Sequence, residues 1–261
     1  MIFLFSSDYF NPKQVDEMYR EQAASLNKAG FNTAAICLES LGENSPKISP
    51  PLPQNSEVVY RGWMLSPSEY ELLVNAVESA GSFLFTSQAE YLLTHYLPNW
   101  YPAIADLTPA TKFYTVDDDL ESKLRTLGWE RFFIKDYVKS LKTSAGSIIE
   151  HPSEIRTIVA QMQRFRGTIE GGICLRIVED FVVESEKRYF AVRGQLFAAC
   201  EGEEIPDIVR ECAARIHSKF FCVDAVERQD GVKRIVEIGD GQVSDLVGWS
   251  AERFAQLWGA A

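Results

Sequence analysis

The stretch Phe221 to Leu246, FCVDAVERQDGVKRIVEIGDGQVSDL, constrains the fold more than any other part of the chain. It reads as a β-hairpin with one acid on each strand, Asp224 and Glu237. The first strand alternates, with Phe221, Val223 and Ala225 on one face and Cys222, Asp224 and Val226 on the other. Gln229-Asp230-Gly231 signals the turn. Ile235 and Val236 return the second strand to apolar company, and Gly239-Asp240-Gly241-Gln242 must then leave the sheet. A buried carboxylate without a partner is strongly unfavourable. Two of them on adjacent apolar strands suggest a shared cation, most simply Mg²⁺ held together with nucleotide phosphates. The alternative at this point is a pair of solvated strand ends.

A chain of 261 residues can bury a large core and is long enough for two domains or two lobes. Its net charge of −11 argues against a general binder of nucleic acid or of anionic membranes, because either needs a cationic surface. The five cysteines form no CxxC pair and mostly lie in apolar runs, the pattern of reduced, buried thiols in a cytoplasmic protein. MIFLFSSDYF lacks the basic region of an export signal, and no run of 18 apolar residues is present. A cytoplasmic, non-membrane protein is expected.

Met1 to Phe5 reads as a buried strand, Lys13 to Ala29 as a helix closed by Gly30, and Thr33 to Leu38 as a second strand. That β-α-β order predicts parallel strands in a small α/β unit. Ser40 to Ser56 reads as a surface loop without regular structure, Glu57 to Arg61 as a third strand, and Ser66-Pro67-Ser68-Glu69 as a capped helix start. Arg61, ahead of Gly62 and Trp63, is either a ligand group at a strand end or a surface arginine stacked on Trp63. Phe83 to Phe85 is a fourth short strand, and His95 on the following helix reads as a packing histidine.

In Phe132 to Ser140, strand periodicity puts Lys135, Tyr137 and Lys139 on one face. Two ammonium groups about 13 Å apart along a strand could flank a polyphosphate, or could protect an edge strand from aggregation. The small-residue loop Lys142 to Ser147 has backbone N–H groups suited to phosphates. A helix capped by Ser153 follows. Ile173 to Glu179, Glu184 to Val192 and Leu196 to Cys200 then read as an antiparallel meander, and a helix from Ile205 to Lys219 leads into the hairpin.

Neither a P-loop nor a dinucleotide fingerprint is present, and there is no zinc constellation or nucleophile elbow. What remains is a series of strand-borne charges: Lys135 and Lys139, Arg176 and Glu179, Glu186 and Arg188, Asp224 and Glu237.

FIKDYVKS, ICLRIVEDF, SEKRYFAVRGQLFA, FCVDAV and VEIGDGQVSDL, in that order, resemble an ATP-grasp protein, most closely the R-two-K clade; RGWMLSP adds to the likeness. The resemblance implies an α/β domain over residues 1–110 on the acceptor side. An α+β ATP-grasp domain of two lobes with antiparallel sheets would follow over 111–261. It further implies ATP and Mg²⁺ as cofactors, Lys135 and Lys139 on the phosphates, and Glu179 on adenine or ribose. Arg188, with Glu186 beside it, would face the γ-phosphate and the developing acylphosphate. Arg176 belongs to the same nucleotide-side set, Lys139 and Arg188 to the catalytic set, and Asp224 and Glu237 to the metal. Where many relatives have Glu-x-Asn this chain has Glu237-Ile238-Gly239, which makes Asp240 the candidate third ligand.

The reaction implied is ligation of a small-molecule or peptide carboxylate to an amine or similar nucleophile, through an acylphosphate, releasing ADP and phosphate. Phosphotransfer to a stable product, or ATP binding without catalysis in a regulatory protein, are the alternatives. Charge neutralisation on the β- and γ-phosphates suits either chemistry.

Overall fold

The computed structural model describes residues 1–43, 45–116, 118–138, 147–166 and 169–260. Strand β1 (Ile2–Ser6), helix α1 (Arg20–Lys28) and strand β2 (Asn32–Ile36) form the expected parallel β-α-β unit, with Ile2 in register with Asn32. Adding β3 (Ile48–Ser49), β4 (Glu57–Arg61) and β5 (Phe83–Leu84) completes a five-stranded sheet in the order β3-β2-β1-β4-β5. β3 lies in the stretch expected to be irregular; it is two residues long and runs antiparallel along the edge of β2.

The continuous apolar run of β1 follows from cover on both faces. Phe3 and Phe5 pack with Tyr19 and Leu26 on one side, and Ile2 and Leu4 pack with Tyr70, Leu73 and Tyr91 on the other. The latter three come from α2 (Pro67–Ser79) and α3 (Gln88–His95). Both helices begin with a full capping box, Ser66 with Glu69 and Ser87 with Glu90, which satisfies N–H groups that a helix start leaves open. His95 is buried and stacks on Tyr91, as a packing histidine should.

After α4 (Leu97–Ile104), strands β6 (Thr111–Tyr114), β7 (Phe132–Asp136), β8 (Ile148–Ile149) and β9 (Ile173–Ile177) make a sheet in the order β6-β9-β7-β8. It is packed against α5 (Leu120–Leu127) and α6 (Ile155–Arg166). β7 is flanked on both sides, so the edge-strand reading of its lysine falls. The start of α6 also differs. A short 3₁₀ turn over Pro152–Glu154, capped by His151 and Glu154, precedes Ile155, and Ser153 lies inside it.

β10 (Lys187–Val192), β11 (Gln195–Phe197), α7 (Asp207–Arg215), β12 (Phe220–Glu227) and β13 (Lys233–Asp240) build the last sheet, β11-β10-β12-β13, before α8 (Ala251–Ala260). The expected meander of three strands is therefore split. β9 already has β6 and β7 on its two edges, and the chain crosses to the other sheet before β10. Only β10 and β11 pair. α8 returns to the five-stranded sheet, and one apolar cluster joins Phe3, Phe5 and Leu26 to Phe190, Phe220, Phe254 and Trp258. Among the described residues no helix is long and apolar enough to cross a membrane.

Candidate active site

The hairpin forms as read. β12 and β13 are antiparallel, and Asp224 lies directly across from Glu237. A bulge makes this arrangement possible. Ile235 and Glu237, two apart, would share a face in a regular strand. Here Ala225 pairs with Ile235 while Asp224 pairs with Glu237, so Val236 is the extra residue and the faces are re-sorted. Ile235 is fully buried in the core, whereas 42% of the Glu237 side chain is exposed. The bulge also releases the Val236 carbonyl, which accepts a hydrogen bond from Arg176 Nη1 at 2.6 Å.

On the other side of Asp224 stands Arg188, in register with it across β10 and β12. Arg188 forks the carboxylate, Nε to Oδ1 at 2.8 Å and Nη2 to Oδ2 at 2.6 Å, while its Nη1 donates to the Asp245 carbonyl at 2.7 Å. From the other four-stranded sheet, buried Lys135 reaches Glu237 Oε1 at 3.2 Å. Four charges thus follow one another across strands and the gap between two sheets: Arg188, Asp224, Glu237, Lys135.

Burial disfavours charge on Arg188, but Cys222, Asp224 and Glu237 outweigh it, so the guanidinium is held above its ordinary pKa and stays cationic. Burial also pushes Asp224 up, against the pull of the same guanidinium. The fork geometry decides for a retained ion pair. For Glu237, burial is outweighed by Lys135, assisted by Arg188 and Arg176, and the carboxyl sits below its ordinary value. Beneath the acids, burial pushes the thiol of Cys222 up to about 12; that of Cys174, beside Lys135 in the register, is pushed to about 12 as well. Neither thiol is a nucleophile at neutral pH.

Asp240 does not join the pair. Three residues beyond Glu237, it lies on the opposite face of β13, fully buried, accepting hydrogen bonds from Thr94 Oγ1 at 3.2 Å and from Gln242 N and Nε2 at 3.0 and 3.1 Å. A third ligand from position 239 is closed off too. A Cβ on Gly239 would meet Ser244 Oγ at 2.6 Å and Cys222 Sγ at 2.9 Å. Among the described residues no group of three or more His, Cys, Asp or Glu gathers as a metal site. Two adjacent carboxylates, all-oxygen and one of them half-exposed, nevertheless fit Mg²⁺, which takes one or two protein carboxylates and completes its shell with water and phosphate oxygens.

The remaining expected residues are placed as follows. Arg176 is buried and braced by Thr108 Oγ1 at 2.5 Å, Thr111 Oγ1 at 3.2 Å and the Val236 carbonyl. Glu179, just beyond β9, is forked by Arg234 at 3.0 and 3.1 Å and approached by Arg228 at 3.5 Å. The sequence does not single out these two arginines: the period-two pattern of β13 is a signal for Arg234 alone, and Arg228 lies in the turn ahead of it. Glu186 is exposed, one residue ahead of β10. Lys139 and positions 140–146 lie outside the described residues. Arg61 is neither a surface residue nor stacked on Trp63: it is fully buried, over the Phe254 ring at 4.7 Å.

An α/β layer followed by two antiparallel sheets that face charged groups toward each other is the ATP-grasp architecture. The chain belongs to the family described as ATP-grasp domain, R-two-K clade family 3, whose model matches residues 126–260. No curated protein sequence matches the chain. Solved structures share its fold over essentially its whole length. D-cycloserine synthetase DcsG is 12% identical, with 100% of this chain and 99% of that chain covered and a TM-score of 0.66. The macrocyclase MdnC bound with precursor peptide MdnA, from Microcystis aeruginosa MRC, is 11% identical, with 100% of both chains covered and a TM-score of 0.64. The ATP-grasp ligase PsnB, complexed with a minimal precursor, Mg and ADP, is 13% identical, with 99% and 97% covered and a TM-score of 0.62.

Proposed function

We propose that this protein is an ADP-forming ligase that activates a carboxylate with ATP and passes the acyl group to an amine or similar nucleophile. The observation that carries the reading is the row Arg188–Asp224–Glu237–Lys135, with cations at both ends and acids in the middle. In this reading Lys135 neutralises nucleotide phosphates and Arg188 the γ-phosphate, while Asp224 and Glu237 hold Mg²⁺. The metal, when bound, would neutralise charge on the β- and γ-phosphates during transfer.

The substrate carboxylate oxygen attacks the γ-phosphorus as its bond to the β-phosphate oxygen breaks, leaving ADP. The amine nitrogen then attacks the acyl carbon, phosphate departs with the C–O bonding pair, and the ammonium proton is lost to solvent. Arg188, held at Nη1 by the Asp245 carbonyl, presents positive charge to the oxygens that gain negative charge. The five-stranded sheet, drawn wholly from residues 1–110, serves the acceptor side, and residues 111–261 grip the nucleotide. PsnB and MdnC were solved with precursor peptides and DcsG is a D-cycloserine synthetase, which favours a peptide or small-molecule carboxylate here. Five free cysteines, four of them buried, suit a cytoplasmic setting.

A second reading, nucleotide binding without catalysis, is favoured by the closed position at Gly239. One experiment separates the two: phosphate release from ATP and Mg²⁺ against a panel of carboxylates with hydroxylamine as the trapping nucleophile. Carboxylate-dependent phosphate release with hydroxamate formation supports the ligase. Nucleotide binding in calorimetry with no turnover on any carboxylate supports the second reading.

A further inference from the structure

Arg61 ends β4 and is one of the largest fully buried side chains. Among the described residues its hydrogen bonds all go to neutral groups: Nε and Nη2 to Gln22 Oε1 at 3.1 and 2.7 Å, and Nη1 to the carbonyls of Gly241 and Ser244 at 2.5 and 3.0 Å. Burial pushes its pKa down to about 10, so it remains a cation at neutral pH. A buried cation without an ionic hydrogen-bond partner is a poor way to pack a helix against a sheet, since an apolar side chain of similar volume would do so more favourably. What only a guanidinium supplies is a flat fork that grips several acceptors on α1 and the turn after β13 at once.

That turn leads directly into the site. Gly62 N donates to the Gln242 carbonyl at 3.2 Å, a second tie between the β4 end and the same turn. Gly62 is needed there, because a Cβ would lie 2.1 Å from Ser6 Oγ and 2.4 Å from the Tyr60 hydroxyl. Ser244 Oγ donates to the Asp240 carbonyl at 2.7 Å. The next residue, Asp245, offers the carbonyl on which Arg188 Nη1 rests. Arg61 and Gly62 and the turn over residues 241–245, some 180 positions apart, thus form one bonded unit whose far end is the site arginine.

We propose that Arg61 is a positioning residue for Arg188, acting through the turn over residues 241–245. It sets the height of the Asp245 carbonyl, and with it the angle of the Arg188 guanidinium over Asp224. In this way the sheet on the acceptor side controls the cation on the nucleotide side. The functional consequence rests on the assignment of Arg188 to the γ-phosphate; the structural coupling does not.

The test uses the full chain without ligand, following the ¹⁵N–¹H resonance of Arg188 Nε, assigned by its loss in Arg188→Lys. In Arg61→Met the resonance is expected to move and broaden, and in Arg61→Lys to return part of the way. A folded Arg61→Met protein with an unmoved Arg188 signal overturns the inference. If Arg61→Met does not fold, Gln22→Met loosens the same guanidinium from α1; a smaller shift in the same direction supports the coupling, and no shift overturns it.

Calorimetry with Mg²⁺ and AMP-PNP supplies the functional arm. Arg61→Met is expected to weaken binding by about tenfold in an otherwise native protein and to add nothing in an Arg188→Lys background. Effects that multiply in the double variant overturn the coupling. Failure of the wild-type protein to bind AMP-PNP refutes the nucleotide reading instead, and the resonance experiment still decides the role of Arg61.

Discussion

Asp224 and Glu237 stand directly opposite each other on β12 and β13, yet each has its own cation: Arg188 forks Asp224 from β10, and Lys135 meets Glu237 from the neighbouring sheet. In the ligand-free protein the two carboxylates are therefore already neutralised. A divalent cation arriving alone must displace Lys135 and Arg188, whereas metal with a nucleotide supplies anions for those cations as well.

Metal and nucleotide should accordingly bind together. Titration of Mn²⁺ alone is expected to show binding at least about tenfold weaker than titration in the presence of AMP-PNP. Lys135→Met should have opposite effects, strengthening Mn²⁺ alone and weakening the nucleotide complex. Calorimetry that finds equal metal affinity with and without nucleotide contradicts the exchange of counterions.

Glu237→Gln keeps the shape of the side chain and removes its charge. It should weaken metal-dependent nucleotide binding by about tenfold or more and also lower the thermal midpoint, because the buried ammonium of Lys135 loses its partner. A nucleotide affinity unchanged by this substitution argues against a metal at the acid pair.

The Arg188 and Asp224 side chains are 12% and 3% exposed. Removing one partner of such a pair strands the other. Arg188→Met is expected to cost about 3–5 kcal/mol in urea unfolding, and Arg188→Met with Asp224→Leu should recover much of that loss. Additive losses in the double variant would count against the pair as the source of the effect.

Asp240 predicts a pH dependence of stability. Burial, opposed by bonds from Gln242 and Thr94 and by the charge of Arg61, pushes its carboxyl up from 3.8 to about 7. The folded state thus holds this proton more tightly than the unfolded chain. The contribution is complete below about pH 4, declines as pH rises toward 7 and is lost above it, a change on the order of 4 kcal/mol. Asp240→Asn should remove that decline, so that the variant's stability relative to wild type rises between pH 4 and pH 7. A pH-independent difference would show that Asp240 titrates normally.

Gly239→Asn supplies the Glu-x-Asn pattern that the resemblance to ATP-grasp proteins leads one to expect, but brings its Cβ against Ser244 Oγ and Cys222 Sγ. The expected result is a loss of about 1–3 kcal/mol in urea unfolding with no gain in metal affinity, relieved in part by Ser244→Gly.

The sequence by itself determined the elements and the local chemistry, because these depend on near neighbours. The apolar run of β1, the capping boxes at Ser66 and Ser87 and the Asp-Gly turn of the hairpin all follow from residues a few positions apart. So does the placement of Asp224 and Glu237 on paired strands. The tertiary structure alone decided which faces and partners those residues meet. A single bulged residue, Val236, put Glu237 opposite Asp224 while Ile235 stayed in the core, and strand periodicity then turned Asp240 away. The occupied edges of β9 split a meander that its strands would otherwise have formed. Arg61 found the carbonyls of Gly241 and Ser244 some 180 residues away. Period-two patterning is a local property of the chain, but bulges, sheet order and the satisfaction of buried donors are settled only when distant segments compete for the same acceptors.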